Sequence, residues 1–490
     1  MADRIGITRF GAYIPQLRLR RTAMAAANAW ANPGLKGSAK GERSMCGWDE
    51  DVVTMAVAAA RDALQNYRRD RISACILAST SAPFADRLNA GLVAGALNLP
   101  DALQSFDVSG SLRAGTSGLM AALAMAAGQD NPVLFVAGER RSAKPASVAE
   151  MQNGDAAAAF LVGYNPAAAL VASHTVTRDF VDHFRATGVK YDYGWEERWV
   201  RDEGYMKLVP AALDGLFRKT NVSRDKVARF ILPTPLGGIA PALARKMGFA
   251  ENSLAPALIE NCGFSGAVHG LLMLVQALET AKPGDMIAVA SFANGCDALL
   301  FEVTPEIEKV RPRRGVSGWL ARGRPTDDYT RFLSFNGELN VDWGMRAEFG
   351  NKYALTVEYR TGRDNLAFLG GRDRQTGVVQ FPKTPAAVGP GAEGFAHYED
   401  VPLADVPARV VSFTADWLTY YPSPPFYFGL VQFENGARVL MEMVDVREGA
   451  LSVGSDVEMV FRVKEIDSIR GYRHYFWKAT PQDAKAEAAS

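Results

Sequence analysis

Cysteine is scarce in this chain, and the scarcity works against two classes of protein at once. The 490 residues hold four, Cys46, Cys75, Cys262 and Cys296, widely spaced and with no Cys-x-x-Cys pair. Disulfide scaffolds and thiolate zinc sites need more cysteines, or closer ones, so neither is expected and a reducing cytoplasm is. A surplus of either charge is also missing, because 54 basic and 54 acidic residues cancel. Proteins that grip nucleic acid by neutralising phosphates carry a basic excess, so no nucleic-acid partner is expected. Nor is there a long apolar run. The most apolar helical stretch, residues 117–127, is well short of the ~20 residues of a membrane span. MADRIGITRFGAYIP reads as neither signal nor transit peptide, and no membrane association is expected.

What is present is a globular balance, 48% apolar and 22% charged, in a chain long enough for two or three domains. RISACILAST (71–80) and NPVLFVAGE (131–139) are apolar runs of strand length. DEDVVTMAVAAARDAL (49–64) has apolar residues at 52, 53, 56, 57, 60, 63 and 64, a helical period with Asp49 in the capping position. Strands alternating with helices over residues 1–305 imply a layered α/β domain.

An internal echo sharpens this. FDVSGSLRAGTSGLMAALAMAA (106–127) is a strand end, a Gly/Ser turn and an Ala-rich helix, followed by the strand PVLFVAGE. IENCGFSGAVHGLLMLVQALETA (259–281) repeats the plan and leads into MIAVASFANGCDALLFEV (286–303). Matching punctuation in two halves predicts a duplicated fold. Residues 306–350, with VRPRRGVSGWLARGRP, read as a linker. Beyond them, alternating runs such as ARVVSFTADWLTYY (408–421) and FYFGLVQFENGARVLMEMVDV (426–446) predict short strands and hairpins over 351–480, an all-β module of barrel size. Residues 480–490, TPQDAKAEAAS, read as a loose tail.

The order and spacing of GWDEDVVTMAVAAARDAL, FDVSGSLRAGTSGL, MQNGDAAAAFLVG, DHFRATGVKYDYGWEERWVRDEGY, PTPLGGIAPALARKMG and FSGAVHG resemble the thiolase superfamily. Within it, the resemblance is to archaeal-type hydroxymethylglutaryl-CoA synthases and ketoacyl-ACP synthase III-like proteins. It implies a duplicated five-layer α/β thiolase-like fold over 1–305. The C-terminal module resembles the OB-fold proteins that accompany such enzymes, usually behind a four-Cys zinc ribbon. Here FLGGRDRQTGVVQFPKTPAAVGPGA keeps a Gly-x-x-x-Phe-Pro frame without a cysteine, so the ribbon is degenerate and no metal is expected.

The resemblance also implies where catalysis belongs. Relatives carry a nucleophilic Cys five residues after the strand Asp, a Glu at the end of an earlier strand and a His in the second half. Those places hold Leu112, Thr80 and Pro233, with Ser111 as the neighbouring hydroxyl. Glycine-rich helix starts are anion and oxyanion sites. In the thiolase arrangement that the resemblance implies, Ser111–Arg113 and Cys262–Ser265 meet, either as a thioester site with Gly263 and Ser265 contributing to binding or as two helix starts that merely pack closely. Cys262 is either a displaced nucleophile or a small apolar filler. His269 is either a general base or a hydrogen-bonded core residue. Arg113 meets either the phosphates of coenzyme A or a salt-bridge partner. VKYDYGWEERW (189–199) supplies either a phenol or the wall of an acyl pocket.

An intact frame without the acyl-accepting Cys points to C–C scission of a β-oxo or β-hydroxy acyl-CoA, retro-Claisen or retro-aldol, on a coenzyme A thioester, with an aromatic acyl-CoA as the analogy. A condensing acyltransferase and a non-catalytic scaffold of a thiolase complex remain the alternatives. A homodimer is expected from the resemblance, with a thiolase or acyl-CoA ligase as a further partner.

Overall fold

A computed structural model describes residues 4–347 and 354–482. Residues 348–353 of the expected linker and second module, and 483–490 of the expected tail, lie outside the described residues. The chain divides into two compact units, Met1–Gly47 with Asp51–Val93 and Leu99–Leu339, and Trp48–Glu50 with Ala94–Asn98 and Asn340–Ser490.

The first unit is built on a nine-stranded sheet. Its strands are β1 (Ile5–Tyr13), β2 (Ala74–Ala78), β3 (Gln104–Val108), β4 (Val133–Glu139), β5 (Ala156–Tyr164), β6 (Ala168–Thr177), β7 (Val227–Ile231), β8 (Met286–Phe292) and β9 (Gly295–Val303). Their order is β7-β8-β9-β6-β1-β5-β4-β2-β3. From β2 the pairings to β4, β5 and β1 run parallel, antiparallel, antiparallel. From β7 the pairings to β8, β9 and β6 run the same way. The duplication predicted from the echo is therefore present as repeated topology. Within the sheet, among the described residues, the halves pair through Gly6↔Ala169 and Ile7↔Ala168. Residues Val133–Val136 of β4 are fully buried, as expected of strands covered on both faces.

Helix α1 (Val52–Leu64) packs on β1, β4 and β5. Its cap is Asp51, not Asp49. The Asp51 carboxylate accepts from Thr54 N at 3.0 Å, and Thr54 Oγ1 accepts from Asp51 N at 2.8 Å. This reciprocal pair requires a partner three residues on, which Thr54 supplies only to Asp51. Asp49, inside the second unit, pairs instead with Lys478 at 3.0 Å.

The stretch read as a linker is folded over much of its length. A helix spans Gly315–Ala321, a strand Arg324–Thr326 pairs with Leu17–Arg20, and a helix spans Tyr329–Phe335. Tyr329 and Phe332 are buried with Leu19, Met24, Met45 and Met151. Its arginines gave the segment a solvent-exposed look, yet Arg311 donates to the carbonyls of Leu278 (2.7 Å) and Ala281 (2.9 Å), closing a helix C-terminus. Buried Asp62 accepts from the Arg314 and Gly315 backbone N–H groups, each at 2.9 Å.

The second unit carries the predicted barrel. Strands β10 (Ala408–Asp416), β11 (Phe426–Phe433), β12 (Arg438–Met443), β13 (Asp456–Asp467) and β14 (Tyr472–Pro481) close in the order β10-β11-β12-β14-β13. Before it, Leu369–Asp373, Val379–Gln380 and Tyr398–Pro402 form a small sheet at the ribbon position. Asp373 Oδ2 accepts from Thr376 N (2.9 Å) and Thr376 Oγ1 (2.7 Å), and Gln380 bridges Thr384 Oγ1 (3.0 Å) and Val388 N (2.8 Å). These side chains tie the turns of the ribbon. Among the described residues no cluster of three or more His, Cys, Asp or Glu is arranged to hold a metal, and no helix is long and apolar enough to cross a membrane.

Candidate functional site

Two helices begin at the centre of the first unit, α2 (Ala114–Ala126) and α3 (His269–Thr280). Their starts meet as the sequence suggests, but through residues slightly downstream of those named. A Cβ on Gly115 would lie 2.1 Å from the Ala267 carbonyl oxygen, so only glycine permits this approach. A Cβ on Gly266 would lie 2.9 Å from Arg141 Cδ, 3.2 Å from Leu112 Cδ2 and 3.5 Å from Glu139 Cγ. Leu112, Arg141 and Glu139 thus converge on one glycine.

Leu112, where the resemblance places a nucleophile, is nearly buried. The Ser111 hydroxyl beside it accepts from Arg113 N at 3.2 Å, a turn-forming bond at the entrance to α2. Arg113 points inward. Its guanidinium donates to Val176 O at 2.9 Å and lies 3.7 Å from the buried Asp297 carboxylate. Thr116 and Ser117 donate to that same carboxylate at 2.9 and 2.7 Å. In the structure Arg113 is thus paired with Asp297.

The turn before α3 contains the other candidates. Cys262 is fully buried, with Sγ 3.5 Å from Leu258 O, and burial pushes its thiol up to about 11. A thiol in that state is not ionised at neutral pH and is a poor nucleophile. Gly263 has φ +84°, and a Cβ there would meet Asn153 O at 2.6 Å, so its place is set by the packing of two loops. His269 is fully buried. Its Nδ1 accepts from Ser265 N at 3.2 Å and its Nε2 donates to Ala257 O at 2.7 Å. Burial lowers its pKa to about 4, and both ring nitrogens are committed, so it has no free nitrogen to take a substrate proton. Ser265 Oγ, by contrast, is buried without a hydrogen-bond partner among the described residues.

Thr80 is engaged with a residue that sequence reasoning missed. Glu139, the last residue of β4, is fully buried. Thr80 N donates to its Oε1 at 2.7 Å, and Thr80 Oγ1 and Ser81 Oγ donate to its Oε2 at 3.1 and 2.6 Å. Burial raises the pKa of this carboxyl, while Ser81, Thr80 and the Arg141 charge oppose the rise. The only available signal was a charged residue ending an otherwise wholly apolar strand, VLFVAGE. Pro233, where the resemblance leads one to expect a His, brings no polar side chain and faces Gly270 at the start of α3.

The Tyr-rich stretch reaches the same place. Asp192 pairs with Arg141 at 2.6 Å and with Arg185 at 3.2 Å, and Arg185 also donates to Thr80 O. Tyr191 donates to Glu338 at 2.6 Å, so its phenol is occupied. The site therefore consists of the ends of β2 and β4, the starts of α2 and α3, and one wall from residues 185–192.

The chain is 32% identical over 344 residues to the hydroxymethylglutaryl-CoA synthase of Aeropyrum pernix, covering 69% of this chain and 95% of that one. It is 28% identical to the synthase of Methanothermobacter thermautotrophicus, covering 69% and 99%. A solved HMG-CoA synthase complexed with CoA superposes with TM-score 0.58 at 19% identity over 72% of this chain and 95% of its own. The HMG synthase of curacin biosynthesis, in complex with acetyl donor-ACP, gives 0.59 at 18% identity over 81% and 100%. Residues 393–462 match the family described as ChsH2, C-terminal OB-fold domain. With a thiolase-like fold, a C-terminal OB-fold barrel and this degree of identity across nearly all of the Aeropyrum pernix enzyme, the chain belongs to the hydroxymethylglutaryl-CoA synthase family.

Proposed function

We propose that this chain binds an acyl-CoA thioester where α2 and α3 begin, and breaks the C2–C3 bond of a 3-hydroxy- or 3-oxoacyl-CoA without forming an acyl-enzyme. The observation that carries this reading is Leu112 at the head of α2, with all four cysteines buried. An acyl-enzyme needs a nucleophile at a helix start, where backbone N–H groups lower its pKa and hold the oxyanion. The helix start is kept here and the nucleophile is not. Enolate chemistry needs only the first, with a proton acceptor nearby. A coenzyme A thioester as substrate is supported by the CoA-bound relative.

Scission of a 3-hydroxyacyl-CoA is the simplest case, because it requires neither water nor an acyl acceptor. The C3 hydroxyl loses its proton and the C2–C3 pair moves into the thioester enolate. A ketone or aldehyde leaves, and protonation at C2 completes the shorter acyl-CoA. The second reading is condensation, favoured by the synthase relatives. Intact-mass measurement after incubation with acetyl-CoA separates the two. We expect no adduct, and acetyl-CoA release from a panel of 3-hydroxy- and 3-oxoacyl-CoAs. A retained acetyl group would overturn the proposal in favour of condensation.

We further propose a homodimer paired through β3. This strand is at the end of the sheet, and Phe106 on it is 38% exposed. An unpaired edge of this kind is a ready template for a second copy.

A further inference from the structure

The hydrogen bonds around Glu139 have a direction. Ser81 Oγ accepts from Arg140 N at 2.8 Å, so its own proton is aimed at Glu139 Oε2, 2.6 Å away. Ser81 is partly exposed, whereas Glu139 is fully buried. The carboxylate itself cannot touch a ligand, but the hydroxyl can. Burying a carboxylate is costly even when it is hydrogen-bonded, and a neutral amide could brace the same turn with less penalty.

We propose that Ser81 and Glu139 form a proton relay, Ser81 exchanging a proton with the acyl-CoA and Glu139 receiving or returning it across their shared hydrogen bond. This rests on the reading of the site as one for enolate chemistry. In the scission direction Ser81 Oγ takes the proton of the substrate C3 hydroxyl as its own proton passes to Glu139. The C2–C3 bond breaks, its electron pair forms the enolate, and C3 becomes a carbonyl carbon. The proton then returns from Glu139 through Ser81 to C2. No proton or electron is gained or lost overall, and no co-reactant is required. The Arg140 N–H would steady the oxygen of Ser81 as its proton leaves. The charged groups facing the relay are Arg141, beside Glu139, and behind it Asp192 and Arg185 from the wall segment. Burial places the carboxyl nearer to neutrality than an exposed glutamate, which suits a proton acceptor. Ser81 is the catalytic residue in this scheme and Glu139 positions and reprotonates it.

Two measurements on the full chain test the relay, scission of a 3-hydroxyacyl-CoA and exchange of the C2 hydrogens of acetyl-CoA in deuterium oxide. Glu139→Gln keeps the shape and removes the titration. It should lower kcat and the exchange rate by roughly 10²–10⁴-fold with KM little changed, and abolish the acidic limb of the kcat–pH profile. Ser81→Ala should lose as much, and Ser81→Thr should restore most of it. Wild-type exchange without scission would leave the relay standing and overturn the reaction proposed above. Wild-type activity with an unchanged Glu139→Gln pH profile would overturn the relay. Should Glu139→Gln not fold, the Ser81 pair decides, and Ser81→Ala equal to wild type overturns the relay. Absence of exchange in wild type with every acyl-CoA tried overturns it as well.

Discussion

His269 illustrates how a titratable residue in a catalytic fold serves the fold instead. Its neutral ring bridges Ser265 N and the carbonyl of Ala257, the latter 12 residues before it in sequence, and pins the turn that carries Gly266 against Leu112. A proton on Nδ1 would face the Ser265 N–H donor, and burial already disfavours the charged ring. The folded pKa, about 4, is below the ordinary value of 6.5. The unfolded chain therefore binds the proton first. The stability contributed by the neutral ring is complete above pH 6.5 and is lost as pH falls towards 4. Full loss corresponds to about 3 kcal/mol. We expect urea unfolding to show wild type losing stability relative to His269→Gln across this window. A difference that stays constant with pH would refute it.

At the scale of elements, α2 and α3 are held by contacts that leave no space for a methyl group. Gly115→Ala would drive a Cβ into the Ala267 carbonyl, and neither backbone can move without its helix. Overpacking of this type costs about 1–3 kcal/mol, and the tightness here places the loss at the upper end. Chemical denaturation should show the midpoint falling with an unchanged slope, and activity falling with it, because the same contact sets Leu112 and Gly266. A variant as stable as wild type would show that the helix starts have slack. The ribbon behaves differently as an element. Its turns are secured by Asp373, Thr376 and Gln380, side chains whose hydrogen bonds are local.

For the whole molecule, the exposed edge at β3 is the feature that bears on assembly. Phe106→Arg would place a charge on each side of the proposed two-fold contact. Sedimentation should show dimeric wild type and a largely monomeric variant, with the far-ultraviolet circular dichroism unchanged. A wild type that is monomeric at micromolar concentration would contradict the dimer.

Much of this was legible in the sequence because it depends on local period and spacing. Alternation of strand and helix, the echo between 106–139 and 259–303, and the short strands of the barrel each follow from side chains that must face a core at a fixed repeat. The same spacing marks Leu112, Thr80 and Pro233 as the places where the resemblance implies catalytic residues. Residues 315–335 were misread because Trp319, Tyr329 and Phe332 are spread among arginines and prolines, and only their partners across the fold reveal that they are core. The state of the chemistry was likewise decided in three dimensions. Cys262 and His269 look reactive one residue at a time and are held in their neutral forms once buried, whereas Glu139 looks like the polar end of a strand. Burial and hydrogen-bond partners arise from residues distant in the chain, 59 positions in the case of Thr80 and Glu139, and these set which groups can hold or release a proton.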